Sequence, residues 1–387
     1  MTVIVILLLI IIAILGYDTW EDLFTWLSRI KIGQLPENEW REKTQKILLK
    51  WIVKGAPEVR INDNRKVNFI KKINEYGKIT SVTYWQDAAL LKATDGIKKD
   101  VETEVKGLAS RYISQDDGEW KTLPKRMDSA MFCYELLSSK YIDSETIKPA
   151  MGNTAYMLKL SAEKYGSIPY NEAFPKYRLV DTIGMACPFL IKYAVTYGED
   201  EYISLAMDQI REYRKNGIEE KTKLPFHGFG EDSLEPLGIC GWGRGCAWWA
   251  IGLTDSLRAM LESDGHNREK AELLKLSVEF FDAMKKYIHG DGTVDRIVLS
   301  FSTQDSSACA MLSYCYAYMA KLLKNEEYKA ISEKMREKLK SVTRRNGTVD
   351  FSQGDTHGIG FYSEKLCIVP AAQGFTIAAD NLLNELN

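Results

Sequence analysis

Six times along the chain a loop delivers a polar or aromatic residue, and a helix-spaced run of small and apolar residues follows. The runs are Trp85–Leu91 (WQDAALL), Arg126–Leu137 (RMDSAMFCYELL), Val180–Tyr193, Trp242–Leu257 (WGRGCAWWAIGLTDSL), Gln304–Met319 (QDSSACAMLSYCYAYM) and Ala372–Leu383 (AQGFTIAADNLL). Helices of the opposite kind, rich in Lys and Glu, fall between them, for example Lys98–Tyr112, Tyr202–Lys215, Asn267–Tyr287 and Glu326–Lys340. The turns repeat as well. Asp116-Asp117-Gly118, Asp291-Gly292-Thr293 and Asn346-Gly347-Thr348 each follow a charged helix, with the Asp-Gly or Asn-Gly pair that makes a tight turn. Self-similarity of this kind constrains a fold more than any single motif. It predicts six helical hairpins, with the small, apolar helices lining the inside and the charged ones forming an outer wall. Closed on itself, that arrangement is an all-α (α/α)6 barrel; an open solenoid is the alternative. No Pro/Gly/Ser-rich linker interrupts the chain after about residue 40, so residues 38–387 read as one catalytic domain.

In such a ring the inner helices all start at one end, and their first residues converge on one mouth. Those residues are Trp85, Asp87, Asp128, Asp181, His227 on the loop LPFHGFGED, Trp242, Arg244, Asp305 and Gln373. Each has a structural reading of its own. The four aspartates are suited to capping helices, the tryptophans to a core, Arg244 to an ion pair and His227 to a surface loop. Their recurrence at one position of a repeat favours a shared site. Two carboxylates facing one cleft are the minimum for acid/base work on a sugar. One must hold a proton near neutral pH, which burial or a like charge arranges by raising its pKa. A helix N-terminus opposes this, because its dipole favours the ionised form. Arg244 is suited to clamp an anionic substrate group, and Trp85 and Trp242 to offer stacking faces.

At these residues the chain resembles the unsaturated glycuronyl hydrolases, glycoside hydrolase families 88 and 105, which include the unsaturated rhamnogalacturonyl hydrolases. The resemblance is carried by VDTIGMACPFL (Val180–Leu190), RMDS (Arg126–Ser129), FHG (Phe226–Gly228) and WGRG (Trp242–Gly245), and it spans roughly residues 40–387. It implies an (α/α)6 fold, Asp181 as the general acid/base and Asp128 as a second inner-helix carboxylate. It also implies that His227, Trp242 and Arg244 line the sugar site. The implied reaction protonates C4 of a C4–C5 unsaturated uronyl end group and adds water at C5. The hemiketal that results opens and releases the remaining sugar, with no cofactor and no metal. One departure stands out: the family often reads R-G-N-G-W after the arginine, whereas Cys246 follows Gly245 here. The expected partner is an oligosaccharide with an acidic terminal sugar, of the rhamnogalacturonyl type. Two other readings use the same residues: a different (α/α)6 hydrolase or lyase on an acidic or capsular polysaccharide, and a membrane-tethered glycan-binding protein without catalysis.

Composition narrows the field. A net charge of −2, with no basic run interleaved with aromatics, argues against nucleic acid. Seven scattered cysteines without a CxxC, and four histidines without an HxxxH, give no metal-site pattern and read as buried thiols. The N-terminus stands apart. Val3–Leu15 is an unbroken apolar run without a basic leader, followed by Tyr17, Trp20 and Trp26, and no Lys or Arg occurs before Arg29. We read residues 1–17 as an uncleaved signal-anchor, or else a signal peptide, and 18–37 as a juxtamembrane segment. That places the catalytic domain outside the cytoplasm on a single-pass anchor through residues 3–15, or secreted if the segment is cleaved. No oligomeric state is legible.

Overall fold

The computed structural model describes residues 2–59, 63, 84–356 and 358–387. Six inner helices form a closed ring: α3 (Tyr84–Lys92), α5 (Ser129–Ser138), α7 (Val180–Tyr197), α9 (Gly243–Met260), α11 (Ser306–Leu323) and α13 (Pro370–Leu386). Each packs on the next, and α13 packs back on α3. The ring is closed, and the open solenoid is set aside. Inner helices are buried on nearly every side, as their apolar composition requires. In α7, every residue from Val180 to Ala194 is buried.

The outer wall is α4 (Glu102–Tyr112), α6 (Ser144–Tyr165), α8 (Glu201–Asn216), α10 (Asn267–Met284) and α12 (Glu326–Ser341). Of these, only α6 had no sequence expectation attached to it. These helices bury one stripe and leave their charged side in water. In α12 the buried residues are Tyr328, Ser332, Met335, Arg336 and Leu339, at helical spacing.

The sixth place in the outer wall is filled by a helix that precedes the first inner helix. It is α2 (Glu37–Lys54), which buries Trp40, Leu48, Trp51 and Ile52 on one stripe. The repeated turns show the substitution. In each turn a glycine at positive φ backs directly onto the next outer helix. A Cβ on Gly118 would meet the Thr146 carbonyl of α6, and one on Gly292 would meet Lys334 of α12. Gly347, at φ +93°, meets Lys43 of α2. No side chain fits at this approach. Trp40 Nε1 then donates to Thr343 Oγ1 at 3.0 Å, and Arg41 pairs with Asp380 of α13 at 2.9 Å. α2 thus stands as the outer partner of α13 in the sixth hairpin.

Before α2 runs α1 (Thr2–Arg29), one continuous helix through the boundary expected at residue 17. The single-pass anchor expected at residues 3–15 is not found: among the described residues no helix is long and apolar enough to cross a membrane. The reason is length, since a run from 3 to 15 rises only about 20 Å against a bilayer core of about 30 Å. Its side chains from Val3 to Ile12 stand exposed. The far end of α1 is tied down. Arg29 donates to both oxygens of buried Asp350, at 2.8 and 3.0 Å, and to the Leu366 carbonyl at 2.9 Å.

Short strands decorate the otherwise helical fold at the mouth. β1 (Tyr177–Leu179), β2 (Gly228–Gly230) and β3 (Pro236–Leu237) make a three-stranded antiparallel sheet, and β4 (Ser352–Gln353) pairs with β5 (Leu366–Cys367). Five of the seven cysteines are buried, as the sequence reading expects. The polar stretch 62–72, which its composition marks as loop and then part of a helix, lies outside the described residues, apart from Asp63.

Candidate active site

The four aspartates at the inner-helix starts divide into two kinds. Asp305 caps α11: its Oδ1 accepts from Ser307 N at 2.9 Å, Ser307 Oγ at 2.6 Å and Gln353 N at 2.9 Å. Asp87 turns outward, accepting the Tyr112 hydroxyl at 2.5 Å. Both therefore serve the scaffold, not the cleft. Asp128 stands at the N-cap position of α5 and Asp181 in the first turn of α7, yet neither makes a side-chain cap bond. Both are buried, and both are left wanting partners. Neither oxygen of Asp128 and not Oδ2 of Asp181 has a well-formed hydrogen bond; the backbone N–H groups of Trp85 and Tyr84 reach Asp128 only weakly. A buried carboxylate without partners costs several kcal/mol, so it needs a reason other than stability.

Burial pushes the Asp128 carboxyl up to about 6. The nearby Arg126 guanidinium and the backbone N–H groups of Trp85 and Tyr84 pull the other way and lose. The dipole argument from the sequence is thus met and overridden by desolvation. Tyr170, on the loop before β1, lies between the two acids. Burial pushes its hydroxyl up, and the charges of Asp181 and then Asp128 push it further.

The sheet at the mouth brings His227 to Asp181. Leu179 pairs with Gly228, and Val180 N donates to the His227 carbonyl at 3.0 Å. Gly228 is needed here, because a Cβ would lie 2.4 Å from the Arg178 carbonyl. The His227 ring is buried, with Nε2 3.6 Å from Asp181 Oδ2 and Nδ1 3.0 Å from the Tyr362 hydroxyl. Ile239 N donates to that hydroxyl oxygen at 3.2 Å. The Tyr362 proton is therefore free to go to Nδ1, which assigns the hydrogen of a neutral His227 to Nε2, on the Asp181 side. Burial pushes Tyr362 up to about 12, so it stays a donor. Trp242 closes the cluster, its ring 4.6 Å from His227 and 5.2 Å from Tyr362. Trp242 Nε1 is fixed by Gln353 Oε1 at 2.8 Å.

Arg244 differs from its expected role. It is 2% exposed. Its Nη1 donates to the Gln353 carbonyl at 2.7 Å and its Nη2 to the Gly354 carbonyl at 2.8 Å. It holds the strand-and-loop 352–355 over the mouth, and its remaining N–H donors are buried. Gln373 is also structural. Its Oε1 accepts from Val349 N at 2.9 Å, and its Nε2 donates to the carbonyls of Thr44 and Gly347 at 3.1 and 3.0 Å. Trp85 is buried edge-on to Trp248, with ring centres 5.4 Å apart, and offers no open stacking face. Cys246 is fully buried.

The structure therefore gathers Asp128, Asp181, His227 and Trp242 from the sequence reading and assigns Asp87, Asp305, Gln373, Trp85 and Arg244 to support. It adds Tyr170, Tyr362, Arg126 and Asp355. Arg126 was visible two residues before Asp128. Nothing in the sequence singled out the two tyrosines or Asp355, which lie on irregular loops. No His/Cys/Asp/Glu group among the described residues has the makings of a metal site.

Comparison with known proteins agrees with this geometry. The family model for Glycosyl Hydrolase Family 88 matches residues 66–371. No curated protein matches the sequence. Among solved structures, a possible member of the GH105 family from Salmonella enterica serovar Paratyphi A has the same fold, with a TM-score of 0.73 at 18% identity, over 90% of this chain and 95% of that one. An unsaturated glucuronyl hydrolase specific for heparin follows at 0.65 and 14%, over 91% and 98%. The unsaturated glucuronyl hydrolase of Bacillus sp. GL1, described as responsible for glycosaminoglycan degradation, gives 0.59 and 15%, over 89% and 96%. With a family match over more than half its length and two buried carboxylates at the mouth of an (α/α)6 barrel, the chain belongs to Glycosyl Hydrolase Family 88 and is a glycosidase.

Proposed function

We propose that the chain removes an unsaturated uronyl residue from the end of an acidic oligosaccharide by hydrating its C4–C5 double bond. The observation that carries this is the pair of buried carboxyls whose oxygens lack well-formed hydrogen bonds, one facing His227 and the other raised by burial to about 6. In this reading Asp181 gives a proton to C4 and takes one from the water that adds at C5. The Nε2–H of His227 steadies its carboxylate, and the Tyr362–Ile239 relay fixes the His227 tautomer. Asp128 in its neutral form donates a hydrogen bond to the sugar and keeps a second negative charge away from an anionic substrate. Hydration yields a hemiketal at C5, which opens and expels the remaining sugar; the atoms balance with one water consumed.

Rhamnogalacturonan lyase digests are the first substrates to offer, on the WGRG and FHG likeness, and heparin-type digests the second, after the structural neighbour specific for heparin. The test is loss of the ultraviolet absorbance of the unsaturated uronide, with Asp181→Asn as control. Decay with the wild type alone supports hydration. A folded wild type with no decay on any unsaturated glycan sinks it, and points to saturated acidic polysaccharides or to binding without catalysis.

We also propose that the chain works outside the cytoplasm, at or released from a membrane surface. The exposed apolar side chains from Val3 to Ile12 and the lack of Lys or Arg before Arg29 support this. Recovery of the native protein in the cytosolic fraction of its host would overturn it.

A further inference from the structure

A uronyl end group carries a carboxylate, and an anion drawn into a buried mouth needs a cation or several N–H donors there. Arg244, the expected clamp, has both terminal nitrogens on the Gln353 and Gly354 carbonyls. His227 faces Asp181 and Tyr362. Arg178 is turned to the carbonyls of Pro175 and Tyr165 and to Glu231.

Arg126 is placed differently. It lies in the turn that leads into α5, with Nε 3.6 Å from Asp128 Oδ1, too far for a hydrogen bond. Its side chain is 36% exposed, while that of Asp128 is 1% exposed. Tyr170 hydrogen-bonds it, and the carboxylates of Asp128 and Asp355 hold its charge against burial. A guanidinium has five N–H donors in a planar fork, and these neighbours leave part of the fork unused. The cation therefore stands at the rim of the site, half inside it, beside an acid that is itself buried.

We propose that Arg126, with the Tyr170 hydroxyl beside it, is the specificity-determining residue that receives the C5 carboxylate of the substrate. The assignment builds on the uronyl reading above. It orients the sugar: the carboxylate lies on the Asp128 side, which leaves C4 to Asp181. Asp355 sets the strength of the grip, because it competes for the same guanidinium.

The experiment needs no turnover. Binding of a saturated uronic acid and of its methyl ester to the full chain is measured by calorimetry, for wild type, Arg126→Met and Arg126→Lys. Wild type should prefer the acid by about 30-fold, the usual strength of a charge-assisted pair. Arg126→Met should lose that preference by weakening the acid alone, and Arg126→Lys should keep part of it. Should the Met variant fail to fold, the Lys variant and the wild-type acid-to-ester ratio still decide the matter. An undiminished preference in Arg126→Met, or equal binding of acid and ester by wild type, would overturn the assignment. Absence of turnover on unsaturated substrates would instead count against the hydration reading and leave this result standing.

Discussion

The barrel buries acids at both ends, and it treats them in opposite ways. At the mouth, Asp128 and Asp181 keep oxygens without partners. Toward the C-terminal ends of the inner helices, Lys92 of α3 lies 2.8 Å from Glu135 of α5 and 3.0 Å from Asp255 of α9. The Tyr314 hydroxyl of α11 donates to the other oxygen of Asp255 at 2.6 Å. Burial alone would pull the Lys92 ammonium down, but Asp255 and Glu135 override it and hold the cation. Every charge in that cluster meets an opposite one, and four inner helices are tied through it. The closed end is built as a structural knot, whereas the mouth is left electrostatically unfinished. Substrate is what finishes it.

If this contrast is sound, substitutions at the two ends should separate activity from stability. The largest effect is expected at the mouth: Asp181→Asn should lower kcat on an unsaturated uronide by about 10,000-fold, with melting little changed. A variant within tenfold of wild type would remove Asp181 from the chemistry.

Next in size is the closed end. Lys92→Met strands two buried carboxylates and should cost about 3–5 kcal/mol in denaturant unfolding, with KM of the surviving protein unchanged. A loss under about 1 kcal/mol would show that the cluster does not hold the helices.

Asp128 sharpens the comparison, because its burial works against the fold. The folded pKa is raised from 3.8 to about 6, so the folded state binds the proton more tightly than the unfolded chain. Stability contributed by that proton is full below 3.8 and is lost as pH rises to about 6. At neutral pH, Asp128→Asn should therefore stabilise the protein by up to about 3 kcal/mol while slowing turnover. The wild-type kcat/KM should fall as pH rises through about 6, and that limb should be missing from the variant. A destabilised Asn variant would contradict the reading of Asp128 as an unpaired acid.

A smaller effect is expected one layer out. Tyr362→Phe removes the donor to His227 Nδ1 and leaves Ile239 N unpaired. It should lower kcat about tenfold and stability by about 1–2 kcal/mol. Unchanged kinetics would mean that the tautomer of His227 is set elsewhere.

The smallest effect belongs to α1. Arg29→Ala should cost only about 1 kcal/mol, because Arg344 Nε stays 2.7 Å from Asp350 Oδ2. A larger loss would mean that the Arg29–Asp350 pair, not Arg344, carries the buried charge of Asp350.

The helix pattern was legible because burial all round and burial on one stripe leave different compositions. Val180–Tyr193 and Glu326–Lys340 could be assigned to the two layers on that ground alone. The site was half legible. Asp128 and Asp181 were named, but so were Asp87 and Asp305, and residue type does not distinguish a cap from an acid left free. That distinction rests on a side-chain rotamer and on what stands within 3 Å of it. Arg244 illustrates the same limit. A guanidinium at the mouth reads as an anion clamp until the Gln353 and Gly354 carbonyls, more than a hundred residues away in sequence, are found to occupy it.

What the sequence determined by itself was the repeat: six apolar helix starts, the turns between them, and the end of the barrel where the polar residues gather. These are local properties, set by spacing and composition within a few turns of chain. Only the tertiary structure decided which helix closes the wall, which acids lack partners and which arginine is free. Each of these depends on contacts between distant segments: α2 against the turn at Gly347, His227 carried to Asp181 by a sheet, Arg244 turned to the carbonyls of Gln353 and Gly354 while Arg126 stays at the rim. Desolvation decides the chemistry here, and desolvation is a property of the packed whole.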